Sequence, residues 1–109
     1  MSAIPSEMRA FVCREITEDW SGSDLQMVAT PTPRKGEALV KVKATGVNFP
    51  DLLMCQGKYQ LKPDLPFSPG MEIAGEIVAF GEGDTGGLRI GDQVCGGTRI
   101  GGFADYACA

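Results

Sequence analysis

The stretch Glu37-Ala38-Leu39-Val40-Lys41-Val42-Lys43-Ala44-Thr45-Gly46-Val47 alternates in polarity with a period of two. Ala38, Val40, Val42 and Ala44 fall on one side of an extended chain, and Leu39, Lys41, Lys43 and Thr45 fall on the other, because successive side chains of a strand point to opposite faces. The spacing predicts a half-buried strand whose outer face carries the two lysines. Directly after it, Asn48-Phe49-Pro50-Asp51 offers a capping residue, a proline suited to a first helical turn and an acid at the positive end of the helix dipole. With Leu52-Leu53-Met54-Cys55 and Gly57 behind it, this segment predicts a helix of one to two turns.

Working outward, Met8 to Arg14 and Leu25 to Ala29 are β-compatible runs separated by a polar turn region that holds Trp20 and Gly22. Thr30-Pro31-Thr32-Pro33 closes the second run, since proline cannot donate to a ladder. Lys58 to Pro69, with Pro63, Pro66 and Pro69, reads as an ordered loop across the surface. Gly70 to Gly81 reads as a long strand bent at Gly75, and Asp92 to Cys95 and Phe103 to Cys108 as short strands among glycines. Fifteen glycines in 109 residues is about twice the usual share of roughly 7%, which favours short strands and turns over long helices. The expectation is a single, mainly β domain forming a closed or partly closed barrel.

Charge and composition narrow the function classes. Fourteen acidic against ten basic side chains give a net charge of −4, and the lysines and arginines are scattered, so no basic track for a nucleic acid exists. No apolar run approaches the ~20 residues of a membrane-spanning helix, and Met1 to Glu7 lacks the basic and apolar regions of a secretory signal, so a cytoplasmic protein is expected. Cys13, Cys55, Cys95 and Cys108 lie too far apart for the short clips of zinc knuckles and redox motifs, and are expected to be free thiols.

Gly81-Glu82-Gly83-Asp84-Thr85-Gly86 matches the G-x-G-x-x-G fingerprint of dinucleotide-binding turns. The following Gly87-Leu88-Arg89-Ile90-Gly91 is too short and too glycine-rich to be the helix whose N-terminal amides would receive a pyrophosphate. A plain hairpin turn is expected there.

Five segments, in order and over nearly the whole chain, carry a family resemblance. They are Ala44 to Asp51, Gly57-Lys58-Tyr59, Pro69 to Ile77, Gly91-Asp92-Gln93-Val94 and Gly102 to Ala107. Together they resemble the N-terminal, GroES-like domain of zinc-free quinone oxidoreductases in the medium-chain dehydrogenase/reductase superfamily. The resemblance implies a GroES-like, partly open β-barrel with one or two short helices over residues 1–109. It also implies a Rossmann cofactor domain that this chain does not contain. Zinc-dependent relatives place a cysteine where Asn48 stands and Gly-His-Glu where Gly70-Met71-Glu72 stands. The chain has no histidine at all, and neither an Asn amide nor a Met thioether suits zinc, so the implied site is metal-free.

The implied chemistry is hydride transfer from NADPH to a quinone or an activated enone, by positioning and hydrogen bonding. Asn48 and Tyr59 are the implied catalytic residues, with Asn48 and Asp51 on the cofactor side. Other readings stand beside these: Asn48 as a helix cap, Asp51 as a structural acid in a first turn, Tyr59 as surface packing and Glu72 as a structural hydrogen-bonding group. The full-length enzyme is expected to be a homo-oligomer, and the 109 residues alone are expected to be inactive. An enoyl reductase of the same superfamily, or an isolated barrel acting as a binding or oligomerisation module, are the alternatives.

Overall fold

In the computed structural model, which describes residues 3–109, six strands and one helix follow one another as β1 (Glu7–Cys13), β2 (Ser23–Ala29), β3 (Ala38–Thr45), α1 (Phe49–Cys55), β4 (Glu72–Phe80), β5 (Gln93–Gly97) and β6 (Tyr106–Cys108). β1 and β2 form an antiparallel pair, and the other four strands form an antiparallel sheet in the order β5-β4-β3-β6. The two sheets are stitched rather than fused. Ala10 bridges to Ala104, the Phe11 N–H donates to the Phe103 carbonyl at 2.8 Å, and the Asp105 N–H donates to the Arg9 carbonyl at 3.0 Å. β5 keeps a free edge, so the barrel is partly open, as its sequence suggested.

The polarity of β3 explains its place but not all of its burial. Val40 is buried against Ile73 and Ala107 on one face, as the alternation predicts. Leu39, on the face expected to be wet, is also buried, because Met8, Ala10, Val12 and Tyr106 close over it as the main core cluster. Being central between β4 and β6, β3 has both faces covered at Leu39 and Val40 and loses cover from Lys41 onward, where Lys41, Lys43, Ala44 and Thr45 are exposed. Gly75 has a further reason beside the bend expected there. A Cβ there would run into the Lys41 carbonyl of β3, so the glycine allows the two backbones to close up where the β3–β4 register shifts.

Two further expectations are corrected. Residues 81–92 do join β4 to β5 antiparallel, but as a wide irregular loop of successive turns, with the Gly86 N–H donating to Asp84 Oδ1 at 2.8 Å, instead of a tight hairpin turn. The strand expected over Phe103 to Cys108 is regular only at Tyr106–Cys108, because residues 103–105 are committed to β1.

A second, smaller core lies beneath α1, where Met54 and Cys55 pack with Cys13 and Phe67. Cys13 and Phe67 exchange backbone hydrogen bonds of 2.7 and 3.1 Å, which ties the proline-rich loop to the end of β1. Trp20 pins the polar turn to the helix by donating its indole N–H to the Leu52 carbonyl at 3.0 Å. The helix is therefore held at a fixed height over the end of β3.

Candidate functional site

Asn48 caps α1 in extended geometry, and Pro50 sits in the first turn, where no N–H is missed. Asn48 and Asp51 form a capping box. Asp51 Oδ2 accepts the Asn48 N–H at 2.8 Å, while the Asn48 side chain turns toward the Asp51 N–H, whose main bond goes to the Asn48 backbone carbonyl at 3.0 Å. The other carboxylate oxygen of Asp51, Oδ1, accepts the Gly70 N–H at 3.1 Å. Asp51 is only 1% exposed, so each oxygen is matched to one backbone donor, which is what a buried acid requires.

Through Gly70 the helix is locked to a second turn. Gly70 has φ of +114°, and its carbonyl accepts the Thr98 hydroxyl at 2.6 Å and the Gly102 N–H at 3.1 Å. A Cβ on Gly70 would stand 2.6 Å from the Phe103 nitrogen, so only glycine fits. Asp51, Gly70 and residues 98–103 thus form one hydrogen-bonded unit beneath the helix.

On the other side of Asn48, its amide Nδ2 donates to Glu72 Oε1 at 3.3 Å. Glu72 opens β4, and its backbone carbonyl accepts both the Thr45 hydroxyl at 3.0 Å and the Gly46 N–H at 3.1 Å. Thr45, Gly46, Met71, Glu72, Ile73, Gly96 and Gly97 line an open groove of about 540 Å³ that runs along the ends of β3, β4 and β5. Val47 and Phe49, which flank Asn48 in sequence, are 69% and 73% exposed. The Asn48 amide is thus flanked in sequence by two exposed apolar side chains and is linked to the glycine-lined groove through Glu72.

The candidates from sequence are not all brought together. Asn48 and Glu72 meet. Asp51 supports Asn48 from below, with its carboxylate enclosed and reaching outward only through the Asn48 and Gly70 backbones. Tyr59 is half-buried against the Cys13, Met54, Cys55 and Phe67 cluster and is not among the residues lining the groove. Among the described residues no group of three His, Cys, Asp or Glu side chains is placed to hold a metal ion. Cys13 and Cys55, far apart in sequence, meet in the second core. Burial pushes the Cys55 thiol up to about 11 from a usual 9.0, the Ser23 hydroxyl opposes this, and the nearby Cys13 and Asp51 add to it. Reasoning from spacing alone missed that pairing, and nothing in the linear pattern signals it.

The family model for the alcohol dehydrogenase GroES-like domain matches residues 34–109, from the turn before β3 through the helix, the groove strands and β6. The chain belongs to that family. Within it, the GroES-like domain is of the quinone oxidoreductase-like kind found in the medium-chain dehydrogenase/reductase superfamily, a family of oxidoreductases. It is 42% identical over 100 residues to a quinone oxidoreductase-like protein 2 homolog of Nematostella vectensis, which covers 92% of this chain and 27% of that relative. Its fold superposes on the quinone oxidoreductase of Coxiella burnetii with a TM-score of 0.83 at 30% identity, over 94% of this chain and 34% of that one. A mycobacterial protein solved in complex with NADPH superposes with a TM-score of 0.85 at 31% identity, over 94% and 31%. The GroES-like chain thus spans about a quarter to a third of these relatives' length.

Proposed function

We propose that this GroES-like chain forms one wall of the active-site cleft of an NADPH-dependent, zinc-independent quinone oxidoreductase. A Rossmann domain outside the 109 residues would bind most of the nucleotide. The observation that carries the reading is the Asn48 amide, bonded to Glu72, which itself lines a groove of about 540 Å³. Gly96 and Gly97 leave open backbone along the groove wall, which a flat ring can approach. The chain's own residues fit only one end of the cofactor. The loop at 81–92 opens no helix, and so lacks the aligned amides that would cradle a pyrophosphate.

NADPH, when bound, supplies the hydride, and a quinone or activated enone receives it. The work assigned to this chain is to orient and to exclude water. Asn48 offers an amide of fixed orientation, Val47 and Phe49 give apolar cover, and Asp51 keeps the helix from shifting under them. Tyr59, which packs in the second core away from this groove, keeps a cleft role only where the Rossmann domain would extend the cleft past it, and the assembled enzyme is assigned to a cytoplasmic homo-oligomer. The quinone oxidoreductase-like relatives support this reading over an enoyl reductase or an isolated binding module.

The test is to express the complete reading frame and follow NADPH oxidation with a panel of quinones and enones, with the 109-residue chain assayed in parallel. Turnover of quinones by the longer product, with none by the short chain, is expected. Quinone turnover by the 109 residues alone would overturn the division of labour, and a longer product that oxidises NADPH only with enones would move the protein to the enoyl reductase branch.

A further inference from the structure

We infer that Glu72 is a positioning residue for Asn48, and that Gly46 is glycine in order to leave room for the Glu72 carboxylate. A carboxamide is nearly symmetric in shape, so packing alone does not decide which end faces which neighbour. Its chemistry does. An ionised carboxylate only accepts hydrogen bonds, so the end of Asn48 that meets Glu72 Oε1 at 3.3 Å must be Nδ2, and the opposite end, Oδ1, turns toward the helix amides. Glu72 therefore selects one of two amide orientations. The second N–H of Nδ2 and accepting capacity on Oδ1 are left over, a donor–acceptor pair that a ligand amide or carbonyl can meet.

Glu72 is itself fixed at its root. Its backbone carbonyl holds the Thr45 hydroxyl and the Gly46 N–H, which ties the start of β4 to the end of β3. Its side chain then folds over Gly46 so closely that a Cβ at that position would land on the carboxylate, with Cγ and Cδ at 2.7 and 2.8 Å. The three nearest atoms to that spot all belong to the Glu72 side chain, and the Gly46 backbone is not in the left-handed region, so crowding by Glu72 and not backbone strain is what an alanine there would meet first. Gly46→Ala is thus a way to dislodge the Glu72 carboxylate while leaving Glu72 in place.

The inference rests on the cleft reading for its catalytic meaning, but its physical core is measurable on the 109 residues without any cofactor. Asn48 is the only asparagine in the chain, so its side-chain NH₂ pair in a ¹H–¹⁵N spectrum is identified by its loss in Asn48→Asp. Glu72→Ala and Gly46→Ala are each expected to shift that pair toward the positions of the exposed Gln60 amide, with the backbone spectrum otherwise preserved, whereas Glu72→Gln, which keeps an oxygen at the same place, leaves most of the displacement. If both alanine variants leave the pair unmoved, Glu72 does not position Asn48. In the product of the complete reading frame, Glu72→Ala is expected to lower kcat by about tenfold, with Glu72→Gln restoring most of it. Absence of any turnover in the wild-type product would sink the cleft reading while the amide shifts still decide the positioning.

Discussion

Replacing Asp51 by asparagine changes two atoms' chemistry and almost nothing of the shape, so its cost can be worked from the hydrogen bonds alone. Oδ2 accepts the Asn48 N–H at 2.8 Å, Oδ1 accepts the Gly70 N–H at 3.1 Å, and the group is 1% exposed. Asparagine brings one oxygen and one NH₂. Whichever way it is turned, one of the two backbone donors faces another donor with no water to take its place. Losing a hydrogen bond to a charged group and stranding a buried N–H together cost about 3 kcal/mol. At a urea m-value of about 1.5 kcal/mol/M, the midpoint falls by about 2 M. Trp20 fluorescence is the natural probe, because its indole is bonded to the Leu52 carbonyl of the same helix. Asp92→Asn serves as the control: that carboxylate accepts one N–H, from Arg89 at 2.9 Å, in an exposed turn, and its loss should cost under about 1 kcal/mol. An Asp51→Asn midpoint within about 0.3 M of the wild type would refute the claim that both oxygens are committed to backbone donors.

Other outcomes follow from the same geometry. Gly70→Ala forces a residue with φ of +114° to carry a Cβ into the Gly102–Phe103 backbone, and should destabilise by about 3 kcal/mol or more, against about 1 kcal/mol for Gly36→Ala, where φ is +81° but the space is open. Denaturant midpoints of the two variants compare these directly. The raised Cys55 thiol keeps its proton in the folded chain while the unfolded chain loses it, so stability from this group is intact below about pH 9 and is lost as pH rises toward about 11. Urea titrations at several pH values should show that decline, and Cys55→Ala should flatten it. For the complete reading frame, dialysis against a chelator should leave NADPH-dependent quinone turnover unchanged, and a loss restored by zinc would overturn the zinc-independent assignment.

The fold was legible wherever one residue's neighbours in sequence decide its environment. The alternation at Ala38–Thr45, the cap-proline-acid order at Asn48–Asp51 and the prolines of residues 58–69 each dictate a local conformation, and each appears where the pattern places it. The pattern failed where distant segments decide. Leu39 is on the polar side of its strand by alternation, yet β1 and Tyr106 bury it, and the meeting of Cys13 with Cys55 depends on how the helix packs on the end of β1. A glycine in a strand has several uses, and only the position of the Lys41 carbonyl shows that Gly75 serves close approach of two backbones.

The site divides along the same line. Asn48 and Asp51 were visible as a pair because a capping box is a short-range device, and it fixes the backbone from which the Asn48 amide extends. Glu72 read only as a hydrogen-bonding group in want of a partner, since its partner stands 24 positions upstream. Gly46 carried no signal at all beyond its place in a family segment, for the absence of a side chain becomes informative only once the atom that fills the space is known. Two residues from different local contexts, Gly46 just after β3 and Glu72 at the start of β4, meet the amide on the cap of α1, Glu72 by its hydrogen bond and Gly46 by the room it leaves for Glu72. That convergence distinguishes a cap that happens to end in asparagine from a cap whose side chain is held in one orientation, and it is the strongest reason to look for the chemistry of this protein at Asn48.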